Sequence, residues 1–161
     1  MATYKKQLSP DQALQKLRHY CGYQERCHKE VTDKLFSLGV RKYDQGEIIA
    51  SLISEGYLNE ERFARAFAGG KFRVNGWGRV KIKYALKQKQ VSDYCIRKAL
   101  TEIEEQDYFD KLQRYAAEKY AALKGEQHLV RRKKTADYLV QRGFEHNLVE
   151  VAISLITKKD E

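Results

Sequence analysis

Apolar residues recur at helical intervals along almost the whole chain, and no segment alternates with period two over a strand's length. Leu14, Leu17 and Cys21 mark a first amphipathic stretch, opened by Ser9-Pro10-Asp11-Gln12. There Ser9 is placed to cap, Pro10 to occupy the first helical position and Gln12 to complete a capping box. Cys27, Val31, Leu35 and Leu38 follow at i, i+4, i+8 and i+11, and Gly39 reads as a C-terminal stop. Ile48, Ile49, Leu52 and Ile53 mark a third helix before Gly56. Asn59 caps a fourth, with Glu60 and Glu61 in its first turn and Phe63 and Phe67 on one face. Asn75-Gly76-Trp77-Gly78 breaks the pattern, with at least one of its glycines in a backbone state that other residues avoid. A fifth helix then carries Val80, Ile82, Tyr84 and Leu86 as its expected apolar side. Ser92 caps a sixth, with Ile96, Ala99, Leu100 and Ile103. Three more follow: Phe109, Leu112, Ala116, Tyr120 and Leu123; then Leu129, Ala136 and Leu139; then Leu148, Val149, Ala152, Ile153 and Ile156. Gly22, Gly125 and Gly143 punctuate the series, and residues 1–8 are expected to fray.

The spacing repeats. Val31-x3-Leu35-x4-Val40, Ile82-x3-Leu86-x4-Val91 and Thr135-x3-Leu139-x4-Phe144 superpose, and each is followed by an apolar helix. A period of about 50 residues is the signature of an array. The expected fold is therefore all-α: three tandem three-helix repeats over residues 9–57, 58–105 and 106–158, stacked into an elongated or curved rod.

Composition narrows the function. Among 161 residues, 31 Lys and Arg face 22 Asp and Glu, a net charge of +9 that favours an anionic partner, most simply nucleic acid. From Lys71 to Lys98 nine cations stand against one acid, Asp93. No apolar run is long enough to span a membrane, the start MATYKKQLSPDQ has no export signal, and three cysteines suit a reducing compartment. A cytoplasmic monomer with no membrane partner is the expectation.

Catalytic chemistry finds no constellation here. Gly69-Gly70-Lys71 lacks the first glycine and the hydroxyl of a phosphate-binding loop, and Glu104-Glu105 has no nucleophile or histidine beside it. His19, Cys21, Cys27 and His28 lack zinc-ligand spacing. Neither metal nor cofactor is expected. Two readings of the basic stretch stay open: a surface on which Phe72, Trp77 and Tyr84 stack bases while lysines track phosphates, or a solvated face with Tyr84 in the core and Trp77 packed over the next repeat. Lys71, Arg73, Trp77, Arg79, Lys81, Lys83, Lys87 and Lys89 are its candidate contacts, with Arg79, Lys83 and Lys87 on one exposed helical stripe. Arg131 and Arg132, within Arg131-Arg132-Lys133-Lys134, form a second cluster. Arg62 is expected to serve helix electrostatics with Glu60 or Glu61.

The residues Gly56-Tyr57-Leu58-Asn59-Glu60-Glu61-Arg62-Phe63-Ala64, then Gly78-Arg79-Val80-Lys81-Ile82, Leu86, Val91 and Ile96 to Leu100, resemble the RecX family. The resemblance implies a fold of three tandem three-helix repeats. It also implies a regulator, usually an inhibitor, of the RecA recombinase, and so a place in homologous recombination, DNA repair and the SOS response. The implied partner is the RecA–DNA filament, bound in its groove, with suppression of its ATPase and strand exchange; single- or double-stranded DNA is a further candidate. Many members carry aspartate where Asn59 and Glu60 stand, and both residues here still suit a helix start. A second reading is a direct DNA-binding protein of helix-turn-helix-like units, with Ser92 to Ile103 as a recognition helix.

Overall fold

A computed structural model describes residues 8–158. The expected fraying falls almost wholly on residues 1–7, outside the described residues. Among those described there are nine helices and no strand: α1 (Pro10–Tyr23), α2 (His28–Ser37), α3 (Lys42–Ser54), α4 (Glu60–Arg73), α5 (Arg79–Gln88), α6 (Asp93–Leu100), α7 (Glu105–Ala122), α8 (His128–Gln141) and α9 (His146–Lys158). The all-α class is as the periodicity requires.

The helix starts follow their capping residues. Gln12 N–H donates to Ser9 Oγ at 3.2 Å and Ser9 N–H to Gln12 Oε1 at 3.0 Å, a complete capping box. Arg62 N–H donates to Asn59 Oδ1 at 2.9 Å, and Cys95 N–H to Ser92 Oγ at 3.2 Å. Ser9→Ala should therefore cost about 1 kcal/mol of stability. A shift in the denaturation midpoint tests this, and an unchanged midpoint would show that α1 does not need its cap.

Helix ends repeat a single device. The N–H groups of Val40, Val91 and Phe144 donate to the carbonyls of Leu35, Leu86 and Leu139 at 3.1, 3.1 and 3.2 Å. Each turn passes through a left-handed residue: Gly39 at φ 73°, Gln90 at φ 60° and Gly143 at φ 99°. This is the Schellman closure, which satisfies carbonyls that a helix end leaves open. The three leucines are fully buried. The sequence motif thus marks one local geometry, built three times. Gly22, by contrast, does not terminate α1, which runs on to Tyr23.

The chain divides into two compact units, one made of the residues up to Ala66 with Leu86–Lys98, the other of Phe67–Ala85 with the residues from Ala99 on. In the first, α1, α2 and α3 pack on one another around Leu17, Val31, Leu35, Ile48 and Leu52. Cys27 is also fully buried, and burial pushes its thiol up to about 11. Arg62 there pairs with Glu25 at 2.6 Å and donates to the Gly56 carbonyl at 2.9 Å. Its partner is not Glu60 or Glu61, because a chain turn brings Glu25 closer.

In the second unit α7, α8 and α9 pack pairwise. Phe72, Tyr108 and Phe144 form an aromatic chain, with centroids 5.7 and 5.3 Å apart. At the start of α7 it is Tyr108, not Phe109, that is buried, and Tyr120 is buried further along the helix. Several expected core positions are exposed instead: Val80 at 54%, Tyr84 at 65%, Leu129 at 72% and Ile53 at 47%. For α5 the reason is geometric. A step of two residues turns a helix by about 200°, so Val80 and Tyr84 lie opposite Ile82 and Leu86.

Candidate functional site

The second unit holds a candidate site at the break between α4 and α5. Helix α4 ends at Arg73, and Gly76, at φ 68°, turns the chain back. Gly76 N–H donates to the Phe72 carbonyl at 3.1 Å and Trp77 N–H to that of Lys71 at 3.0 Å. Cations from elsewhere in the unit also donate to carbonyls at this turn. Lys111 Nζ donates to those of Phe72 and Arg73 at 2.7 and 3.0 Å, and burial lowers its pKa. Arg142 Nη1 reaches those of Asn75 and Gly76 at 3.3 Å. The loop also meets the α8–α9 turn backbone to backbone: Gly78 N–H donates to the Arg142 carbonyl and Val80 N–H to that of Gly143, both at 2.9 Å.

This rigid loop presents Trp77, which is half-buried. Lys71 Nζ lies 4.8 Å from the indole centroid and Lys81 Nζ 4.6 Å, while Phe67 meets the ring edge-on at 6.4 Å. Both ammonium groups are within range of attraction to the π-face. Beside Trp77 opens a cleft of about 310 Å³, lined by Asn75, Trp77, Lys81, Tyr138, Gln141 and Arg142. The Arg142 guanidinium is fixed there, donating from Nε to Tyr138 Oη at 2.9 Å and lying 4.4 Å from the Tyr115 ring centroid.

The other expected contact residues divide. Arg73, Lys81, Lys83 and Lys87 are exposed, while Lys71 and Lys89 are half-buried. Arg79 does not belong to the exposed stripe. Its side chain is 21% accessible, its Nη1 lies 2.8 Å from Glu105 Oε1, its Nε lies 3.0 Å from Glu145 Oε2, and its guanidinium covers the Tyr108 ring at 3.9 Å. Its N–H donates to Tyr108 Oη at 3.0 Å, and that hydroxyl donates to Glu145. Burial, and that bond to Glu145, hold the Tyr108 hydroxyl far above the usual phenol range. Arg131 is likewise turned inward, donating to the Tyr120 carbonyl at 2.7 Å with its guanidinium 3.6 Å from that ring. Arg132 donates to Thr157 Oγ1 at 3.1 Å. Both therefore make structural contacts, because α8 packs them against α7 and α9. Sequence reasoning missed Tyr138, Gln141 and Arg142, which enter the site only through tertiary packing.

A model of the RecX second three-helix domain matches residues 59–100. A protein named regulatory protein RecX, from Prosthecochloris aestuarii, is 32% identical over 137 residues, covering 85% of this chain and 88% of the relative. The chain belongs to the RecX family. A RecX of Leuconostoc mesenteroides is 25% identical over 134 residues, but this chain spans only half of its length. The crystal structure of RecX from Lactobacillus salivarius superposes with a TM-score of 0.85 at 23% identity, covering 92% of this chain and 96% of that one. That likeness is one of fold. The RecX relatives are named as regulatory proteins, and no helix among the described residues is long and apolar enough to cross a membrane.

Proposed function

We propose that this RecX-family chain is a cytoplasmic regulator of the RecA recombinase, acting in recombinational DNA repair and the SOS response. It binds as a monomer in the groove of the RecA–DNA filament and lowers filament ATPase and strand exchange. One observation carries the reading: within the segment that the RecX domain model matches, Arg73, Lys81, Lys83 and Lys87 are all exposed. Such a run of exposed cations along one segment is the electrostatic footprint of an anionic partner. Three-helix repeats over residues 9–57, 58–105 and 106–158 would let one chain touch successive protomers, and linked contacts raise avidity without needing strong single ones. The recurring Leu35, Leu86 and Leu139 turns support that division. ATP turnover belongs to RecA.

The test is the double variant Lys83→Glu/Lys87→Glu. Exposed substitutions usually change stability by less than about 0.5 kcal/mol each, so it should stay folded. The concentration needed to halve RecA's DNA-dependent ATPase should rise by about tenfold or more, a weakening of about 1.4 kcal/mol. If the two lysines meet duplex phosphates, the log–log salt slope should flatten by about 0.9 for each phosphate that is no longer neutralised. A folded variant that inhibits at wild-type concentrations would move the interface to another face. The second reading, direct DNA binding through α6, draws on exposed Arg97 and Lys98. It predicts equal affinity for naked DNA and for the filament.

A further inference from the structure

We infer that the Trp77 cleft is a binding site for one unpaired nucleotide of single-stranded DNA. The chemistry of its walls selects that ligand. The half-buried indole offers a π-face, and any base can stack on it whatever its identity. Asn75 and Gln141 supply amides that can meet either donors or acceptors on a base edge. Lys81 and Lys71, now resting near the indole, are long and flexible enough to swing onto the flanking phosphates. Arg142 is a positioning residue: its bonds to the Asn75 and Gly76 carbonyls and to Tyr138 hold the loop that carries Trp77. Among the described residues that line the cleft there is no carboxylate.

Size and shape exclude the competitors. A volume of about 310 Å³ is at the lower end of the range for small-ligand clefts, the scale of one base with its sugar. Bases in a duplex are stacked inside it and cannot reach an indole in a cleft, whereas those of a single strand can be splayed out. An acidic peptide would satisfy the lysines but leave the indole face and both amides without a role. The inference stands apart from the RecA reading, since it concerns naked single-stranded DNA and either can fail alone.

Trp77 is the sole tryptophan, so its fluorescence reports this site in the unmodified protein. With RecA absent, the chain is titrated with an oligothymidylate of about 12 nucleotides, within the usual span of single-strand sites. Saturable quenching is expected, with much weaker quenching by a hairpin duplex of equal charge and none by polyglutamate. Quenching by the duplex or by polyglutamate as strong as that by the single strand overturns the inference, as does no quenching at all. Labelled oligothymidylate should bind Trp77→Ala roughly 5- to 150-fold more weakly, the range that removal of one stacked base implies. Trp77→Phe should retain most of the affinity. Trp77→Ala that melts like the wild type and binds the strand equally well would overturn the assignment, even if it also inhibits RecA normally.

Discussion

Gly143→Ala is expected to destabilise the protein by about 2–5 kcal/mol. The left-handed backbone alone, at φ 99°, disfavours a side chain by about 1–2 kcal/mol. The larger share comes from crowding. A Cβ at Gly143 would lie 2.3 Å from Lys81 Cβ and 2.7 Å from Lys81 N, and α5 cannot yield there without breaking the bond from Val80 N–H to the Gly143 carbonyl. Overpacking of this kind adds about 1–3 kcal/mol, sometimes more. Gly39→Ala is the control. Gly39 also has positive φ, at 73°, but nothing lies within 4 Å of its added Cβ, so only the conformational cost should appear. Equal shifts in the denaturation midpoints of the two variants would disprove the close approach.

That pair shows what the sequence could and could not disclose. Both glycines are legible as helix stops, because a stop after an apolar stripe is a local matter. The crowding at Gly143 is not, because it depends on where Lys81 arrives. Gln90 is less legible still: the middle turn takes the same left-handed step with a side chain present, and only the Leu86-x4-Val91 spacing betrays it.

Arg79→Glu is expected to cost about 2–4 kcal/mol, whereas Lys83→Glu, one turn further along α5, should cost less than about 0.5 kcal/mol. Removing Arg79 leaves Glu145, which is 29% accessible, without its counter-ion, and a glutamate in its place adds a third carboxylate to Glu105 and Glu145. The lower end of the range allows for solvent screening at a site that water partly reaches. Urea denaturation of the two single variants decides it, and equal midpoints would place Arg79 outside the ion cluster. The same cluster sets an alkaline limit. Tyr108 must stay protonated to donate to Glu145, and its pKa is raised on folding. An acid with a raised native pKa contributes stability that is full below its unfolded value, about 10 for tyrosine, and is lost as pH rises through the native one.

Helical register places Arg79, Lys83 and Lys87 on one stripe, and a helical wheel has no means of separating them. Glu105 and Glu145 do so from 26 and 66 positions away, and Tyr120 does the same for Arg131. Trp77 is visible in the sequence as an aromatic among cations. The amides and the arginine that turn its surroundings into a cleft come from α8 and its C-terminal end and from the loop before Trp77, brought together by packing alone.

The clamp on the Trp77 loop has a consequence in time. Arg142 and Asn75 are 67 positions apart in the chain. During synthesis the loop emerges long before its anchor, and closing so long a span carries an entropic cost that local helix formation does not. Helices α4 and α5 can form as soon as they leave the ribosome, but the indole is fixed in place only once α8 has been made. A fragment restricted to residues 59–100, the portion that defines the family's middle domain, would contain Trp77 and both of its lysines without the parts that hold them in position.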